Sequence, residues 1–235
     1  MAHKVAVLGA GRVGLLIAYL LASESDYKLI VVDPSPISIN PAFSDTISHV
    51  ALSVEQADEM HTLIEQEKIS TLVCALPYQL NLIAAQLADD HGLIYFNLSE
   101  DVAITMAIKA LSANSKATFV PQCGLAPGFI TIASYHLMQQ FDAPQKVEAR
   151  VGALPQNRDL PLGYGITWSE EGLINEYIQD CEIIQGGQLS TASGLDGLER
   201  LVINEEDYEA FYTSGGIGSL LNMAPPSVES MDYKT

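Results

Sequence analysis

Positive charge is what this chain has least of. Eleven Lys and Arg stand against 29 Asp and Glu over 235 residues, a formal net charge of −18. The deficit is spread, with 6 basic and 13 acidic residues in 1–120 and 5 and 16 in 121–235. Without a basic patch to neutralise phosphates, the sequence argues against a nucleic-acid partner. An anionic membrane surface would repel it, and no run of about 18 apolar residues exists to span one. Cysteine is also sparse. Cys74, Cys123 and Cys181 make neither a zinc pattern nor a paired disulfide framework, so no metal site is expected and a reducing, cytoplasmic setting is the natural one. Charged residues are only 17% of the chain and hydrophobic ones 48%, a globular balance rather than a disordered one.

Met1–Ala22 carries an early Lys and an apolar run, as a signal peptide does. Arg12 and three glycines interrupt it and have a better explanation. Lys4–Leu8 reads as a strand buried on both faces, and Val13–Ala22 as a helix with almost no polar side. Further short apolar runs follow at Leu29–Val32, His49–Leu52, Thr71–Ala75, Leu93–Phe96 and Ala117–Val120. Between the later ones, Glu55–Glu67, Leu80–His91 and Asp101–Ala113 repeat apolar residues at three- and four-residue steps. Six near-continuous apolar strands separated by helices predict an α/β fold, a doubly wound parallel sheet of the Rossmann dinucleotide-binding type.

The texture changes after Pro121. One helix is predicted over Ile130–Gln140. Short strands are predicted at Val147–Val151, Tyr164–Trp168, Glu182–Ile184, Leu201–Ile203 and Val228–Thr235, with a hairpin turn at Gly186-Gly187. This is a second α+β domain with a mostly antiparallel sheet. The expected division is 1–122 for dinucleotide binding and 123–235 for substrate and dimer contacts.

Gly9-Ala10-Gly11-Arg12-Val13-Gly14 follows the first strand and opens the first helix, the context a GxGxxG string needs to mean a dinucleotide loop. Gly9 permits the tight turn, Gly11 the approach of the pyrophosphate, and Gly14 the close packing of helix on strand. The phosphates then meet the positive end of the helix dipole. Asp33 closes the second strand, 19 residues after Gly14, where an acid receives the adenosine ribose hydroxyls. The same carboxylate repels the extra phosphate of NADP, and Pro34-Ser35-Pro36 offers no Arg or Lys for it. NAD is therefore favoured over NADP.

Ligands in this fold lie beyond the carboxyl ends of the strands, so Ala75, Leu76 and Pro77 should line the nicotinamide side. Asn97 and Ser99 end the fifth strand in the same place and are candidate substrate residues; alternatively they cap the next helix. The elbow Pro121–Gly128 either only crosses between domains or brings backbone N–H groups against substrate and cofactor, with Gly124, Pro127 and Gly128 as candidate substrate residues. Cys123 has no His or basic residue nearby in sequence and reads as a buried, inert thiol rather than a nucleophile. Tyr78, Glu100, His136 and Tyr212 are the candidates for proton transfer, and no His/Asp pair singles one out.

Taken together, Gly9–Gly14, Leu76-Pro77 with Asn81, Gly124-Leu125-Ala126-Pro127-Gly128, Gly163–Ser169 with Ile174-Asn175-Glu176-Tyr177, and Phe211-Tyr212-Thr213-Ser214-Gly215-Gly216 resemble the saccharopine dehydrogenase family. The likeness is to its bacterial branch, with lysine 6-dehydrogenase-like proteins. It spans nearly the whole chain.

The resemblance implies NAD(P) in the first domain, and a substrate cleft and homodimer surface in the second. It also implies reversible hydride transfer at the C–N bond of a lysine-like amino acid or saccharopine-type adduct. It adds Thr213, Ser214 and Gly215 to the substrate candidates. Relatives continue past Tyr233-Lys234-Thr235, so the expectation is a chain lacking the C-terminal part and an Arg for the substrate carboxylate. Arg150, Arg158 and Arg200 are the remaining candidates for that role. The alternatives are a carboxynorspermidine- or homospermidine-type synthase of the same family, or a non-catalytic NAD-binding protein. The terminal strands, 211–213 and 228–235, are expected to present unpaired edges that draw a second copy into a homodimer.

Overall fold

A computed structural model describes residues 3–152, 154, 155, 165 and 170–235. It divides into two compact units, Met1–Pro121 and Gln122–Thr235.

The first unit is built on six parallel strands: β1 (His3–Leu8), β2 (Tyr27–Val32), β3 (Ile47–Val50), β4 (Thr71–Cys74), β5 (Ile94–Asn97) and β6 (Thr118–Val120). Their order is β3-β2-β1-β4-β5-β6, the doubly wound arrangement the sequence predicts. Alternation along β1 shows why its residues are apolar without a break. Val5 and Val7 pack with Leu29, Val31 and Ala18 of helix α1 (Arg12–Ala22) on one face. Ala6 and Leu8 pack on the other with Met60 and Ile64 of α2 (Ala57–Glu67), Ala84, Ala85 and Ala88 of α3 (Asn81–His91), and Ile108 of α4 (Val102–Ser112). Strands covered on both sides need side chains that leave water in both directions. The order reverses direction at β1 and β4, and this switch point is where the fold opens a crevice.

The second unit holds helix α5 (Phe129–Met138), strand β7 (Lys146–Arg150), helix α6 (Glu170–Ile178), and strands β8 (Cys181–Gln185), β9 (Gln188–Ala192), β10 (Glu199–Ile203), β11 (Glu206–Ala210) and β12 (Ser230–Lys234). Among the described residues a mixed four-stranded sheet runs β7-β12-β8-β9 and a separate hairpin joins β10 to β11. The β7–β12 pairing is parallel and the others are antiparallel. Gly186 and Gly187, both at positive φ, turn the chain between β8 and β9 as expected. The predicted strand Tyr164–Trp168 lies, but for Gly165, outside the described residues.

One expectation is overturned. Strand β12 is not an edge: it pairs with β7 on one side and β8 on the other. Residues 211–213 are also engaged, because Phe211 and Thr235 exchange backbone hydrogen bonds of 3.1 and 3.0 Å. The backbone donors thought to await a second copy are satisfied within the chain.

Candidate functional site

The Gly9–Gly14 loop joins β1 to α1 at the switch point. Gly9 has φ of +95°, and a Cβ there would lie 2.9 Å from the Ala75 carbonyl oxygen. At Gly14 a Cβ would lie 2.0 Å from the Gly9 oxygen. Both glycines are therefore required by the packing of the loop on β4 and α1. Gly11 differs. Its φ of −66° and ψ of −178° suit any residue, and a Cβ would meet nothing within 4 Å. The backbone there faces open space that a side chain would fill.

Gly11 is also the cap of α1, with no side-chain cap bond, and the first turn of the helix carries no acidic residue. The positive end of the helix dipole is thus left uncompensated by side chains, a setting that favours an anion. Asp33 follows β2 directly. Its Oδ2 accepts from the Ala10 amide and its Oδ1 from the Ser35 amide, both at 2.8 Å. These bonds tie the carboxylate to the glycine loop and leave about two of its four acceptor positions for sugar hydroxyls.

A buried polar chain stands behind Ala75–Pro77. Asn81 donates from Nδ2 to the Pro77 carbonyl at 3.3 Å. The Tyr95 hydroxyl donates toward the Asn81 carbonyl (2.9 Å) and Oδ1 (3.1 Å), and Asn97 Nδ2 approaches that hydroxyl at 3.5 Å. Asn81 and Asn97 are both at most 1% exposed. Asn97, taken from sequence as a substrate residue, therefore points into this network. Burial pushes the neighbouring Cys74 thiol up to about 11 and the Tyr95 phenol far above its ordinary range, so both stay neutral donors.

Neither Asn97 nor Ser99 caps α4. That cap is Asp101, whose carboxylate accepts from the Ile104 amide at 2.8 Å, while Ser99 accepts from the Asp101 amide at 3.2 Å. Beside them, burial raises the Glu100 carboxyl above the usual glutamate range; its own backbone amide opposes this and the Asp101 charge adds to it. Tyr78 lies in the short 3-10 turn Tyr78–Leu80 that leads into α3.

In the second unit the elbow is internally bonded, and its Cys123 is exposed, not buried as the sequence suggests. The Gly124 amide donates to the Pro127 carbonyl at 2.8 Å, and the Gly124 carbonyl accepts from Phe129 at 2.9 Å. The Gly124 amide is thus not available to a ligand, contrary to one sequence reading. At Gly128, φ is +135° and a Cβ would lie 2.3 Å from the Gly124 oxygen. Thr213 and Ser214 are buried: the Thr213 hydroxyl pairs with that of Thr235 at 2.8 Å, and the Ser214 amide donates to the Glu176 carbonyl at 2.9 Å. The Gly215 carbonyl accepts from the Gly218 amide at 3.1 Å. His136 is exposed on α5 beside Gln140. The Tyr212 ring lies beneath the Lys234 ammonium, 4.8 Å from its centroid.

Arg150, a sequence candidate for a substrate carboxylate, is already taken. Its guanidinium forks onto the Glu199 carboxylate, donates to Asp232 Oδ1 at 2.5 Å, and donates to the Ala149 carbonyl oxygen at 2.8 Å. Lys234 joins Glu199 from the other side at 2.8 Å. The hydrogen bonds from Arg150 and Lys234 hold Glu199 down at about 2. Arg200 is exposed, 3.7 Å from Glu209, and Arg158 lies outside the described residues. Sequence reasoning missed this cluster because nothing in their spacing links residues 150, 199, 232 and 234.

Comparison with known proteins agrees with this architecture. Residues 5–120 match the saccharopine dehydrogenase NADP binding domain, and residues 124–235 the saccharopine dehydrogenase C-terminal domain. The mitochondrial alpha-aminoadipic semialdehyde synthases of Rattus norvegicus and Mus musculus are each 25% identical, over 202 and 205 residues. Each alignment covers 81% of this chain and 21% of the relative. Apo saccharopine dehydrogenase (L-Glu forming) from Saccharomyces cerevisiae superposes with a TM-score of 0.74 at 17% identity. That match covers 100% of this chain and 55% of the yeast protein. The chain thus spans about a fifth of the curated relatives and about half of the yeast enzyme. With the two models together matching nearly every residue from Val5 to Thr235, the chain belongs to the saccharopine dehydrogenase family.

Proposed function

We propose that this chain is a nicotinamide-dinucleotide-dependent oxidoreductase acting at the C–N bond of a lysine-like amino acid or a saccharopine-type adduct. The observation that carries the reading is Gly11. It is a glycine that neither backbone conformation nor packing demands, facing open space at an uncapped helix N-terminus, with the Asp33 carboxylate tied to the same loop. A pyrophosphate over Gly11 and a ribose at Asp33 account for all three features.

Asp33, followed by Pro34-Ser35-Pro36, supports NAD over NADP, since a carboxylate disfavours a second phosphate and no cation stands beside it in sequence. Bound nicotinamide supplies hydride transfer. The residues of this chain then position and manage protons. Ala75–Pro77, fixed from behind by Asn81 and Tyr95, support the nicotinamide side. Glu100, whose carboxyl is raised by burial, is the strongest group in the first unit for holding a proton near the ends of the strands. Thr213, Ser214 and Gly215 belong to a buried turn that shapes the second unit. In this reading the chain works in the cytoplasm as a homodimer. The family resemblance supports the dimer; β12, paired on both sides, does not.

The test is Gly11→Val. Circular dichroism and melting should match the parent, while NADH binding, followed by fluorescence, is lost. A variant that binds NADH normally would remove the loop as the cofactor cradle. Incubating the chain and NAD with a panel of amino acids including lysine and saccharopine, and following NADH absorbance, tests the substrate class.

A further inference from the structure

We infer that His49 is a positioning residue for Asp33 and, through it, a determinant of the choice between NAD and NADP. The inference rests on the dinucleotide reading above. His49 lies near the end of β3, an edge strand of the parallel sheet, opposite Val31 of β2. Its Nε2 lies 2.9 Å from the Asp33 carbonyl oxygen. A carbonyl only accepts, so Nε2 carries the hydrogen and the bond fixes the tautomer.

Every polar group of Asp33 is then held: its backbone by neighbouring residues of β3, its carboxylate by the glycine loop and by the turn after β2. Its amide donates to the Val50 carbonyl at 3.3 Å, and its carbonyl accepts from His49. Its Oδ2 accepts from Ala10 and its Oδ1 from Ser35. The next residue gives no help with the backbone, because Pro34 has no N–H to donate. On the side facing β3, Val50 holds the peptide before Asp33, and the imidazole holds the one after it, which joins Asp33 to Pro34. If the peptide turns, the carboxylate moves with it. It then loses both its aim at the ribose hydroxyls and its repulsion of a phosphate in their place. This role differs from packing: a residue that only fills space beside β2 would not change the discrimination between the two dinucleotides.

The experiment uses the full chain and measures NADH and NADPH affinity by fluorescence titration, with melting recorded for each variant. His49→Leu, which fills space without a donor, should weaken NADH binding about fivefold, the scale of one lost hydrogen bond. It should leave NADPH unchanged or bound somewhat tighter, since the phosphate is repelled less, so the preference ratio shrinks. His49→Gln, whose amide can reach the same carbonyl, should restore NADH affinity to within about twofold of the parent. In the Asp33→Ala background, His49→Leu should have no further effect on NADH, because the group it positions is gone. If His49→Leu melts too early to titrate, His49→Asn provides a shorter variant with the same expected loss. An unchanged preference ratio in His49→Leu, or an equal loss with and without Asp33, would overturn the inference while leaving the cofactor reading intact. A parent chain that binds neither dinucleotide overturns both.

Discussion

The two units are held by different physics. In the first, apolar strands are sandwiched between helices, and polar groups appear at strand ends or in the closed chain of Asn81, Tyr95 and Asn97. In the second, β7, β10 and β12 meet through charge. Arg150, Glu199, Asp232 and Lys234 form one bonded cluster beside an apolar core of Met138, Leu220, Val228 and Met231. The first unit therefore depends on close contact and the second also on ionisation. A cofactor loop needs the former, since a Gly-rich turn holds its shape only against a rigid neighbour.

This contrast can be broken from either side. The largest effect should come from Gly14→Val. Its Cβ would fall 2.0 Å from the Gly9 oxygen, which cannot move without unseating β1. A loss of about 3 kcal/mol is expected, at the upper end for overpacking. Hydrogen exchange should show faster opening in 1–121 than in 122–235. Arg150→Met comes next. It leaves Glu199 and Asp232 without their shared partner and should cost about 2 kcal/mol. That is below the cost for fully buried pairs, because water reaches part of the cluster. Here the faster exchange should appear in the second unit. Equal effects on both units from either variant would erase the distinction.

Acid sharpens the comparison. Glu199 sits at about 2 when folded against an ordinary 4.5. A depressed carboxyl contributes stability that is fully present above 4.5 and is lost as pH falls from there toward 2. The second unit should weaken across that window, and Glu199→Gln should flatten the dependence. The smallest effect belongs to Asp33→Ala, expected to weaken NADH binding by about 1–2 kcal/mol, with a slight fall in the melting of the first unit from the lost Ala10 and Ser35 bonds and none in the second.

The same contrast explains what the sequence made legible. In the first unit every strand and α-helix is readable within a few residues, because two-sided burial writes an unbroken apolar run; the short 3-10 helix Pro41–Phe43 is not. The glycine loop was readable too, since its residue types are dictated locally. In the second unit the signal was weaker. Strand β11 (Glu206–Ala210) reads Glu-Asp-Tyr-Glu-Ala and lacks apolar alternation, so it was not foreseen. Its turn is made by Asn204 and Glu205, both at positive φ, where only the Asn is a usual signal. Strand β12 looked like an edge because its partners, β7 and β8, lie far away in sequence. His49 was read only as a strand residue. Its bond to the Asp33 carbonyl depends on the parallel register of β3 and β2, which no local pattern encodes.

The central claim is that the first unit is a dinucleotide cradle with a carboxylate at the ribose position. Parallel titration of the unmodified chain with NADH and NADPH tests it most directly. Saturable binding of both, with NADH the tighter by about tenfold, is the predicted result, the scale of charge-assisted hydrogen bonds gained against a repelled phosphate. Equal or reversed affinity would contradict the role given to Asp33, and no binding of either would contradict the cradle itself.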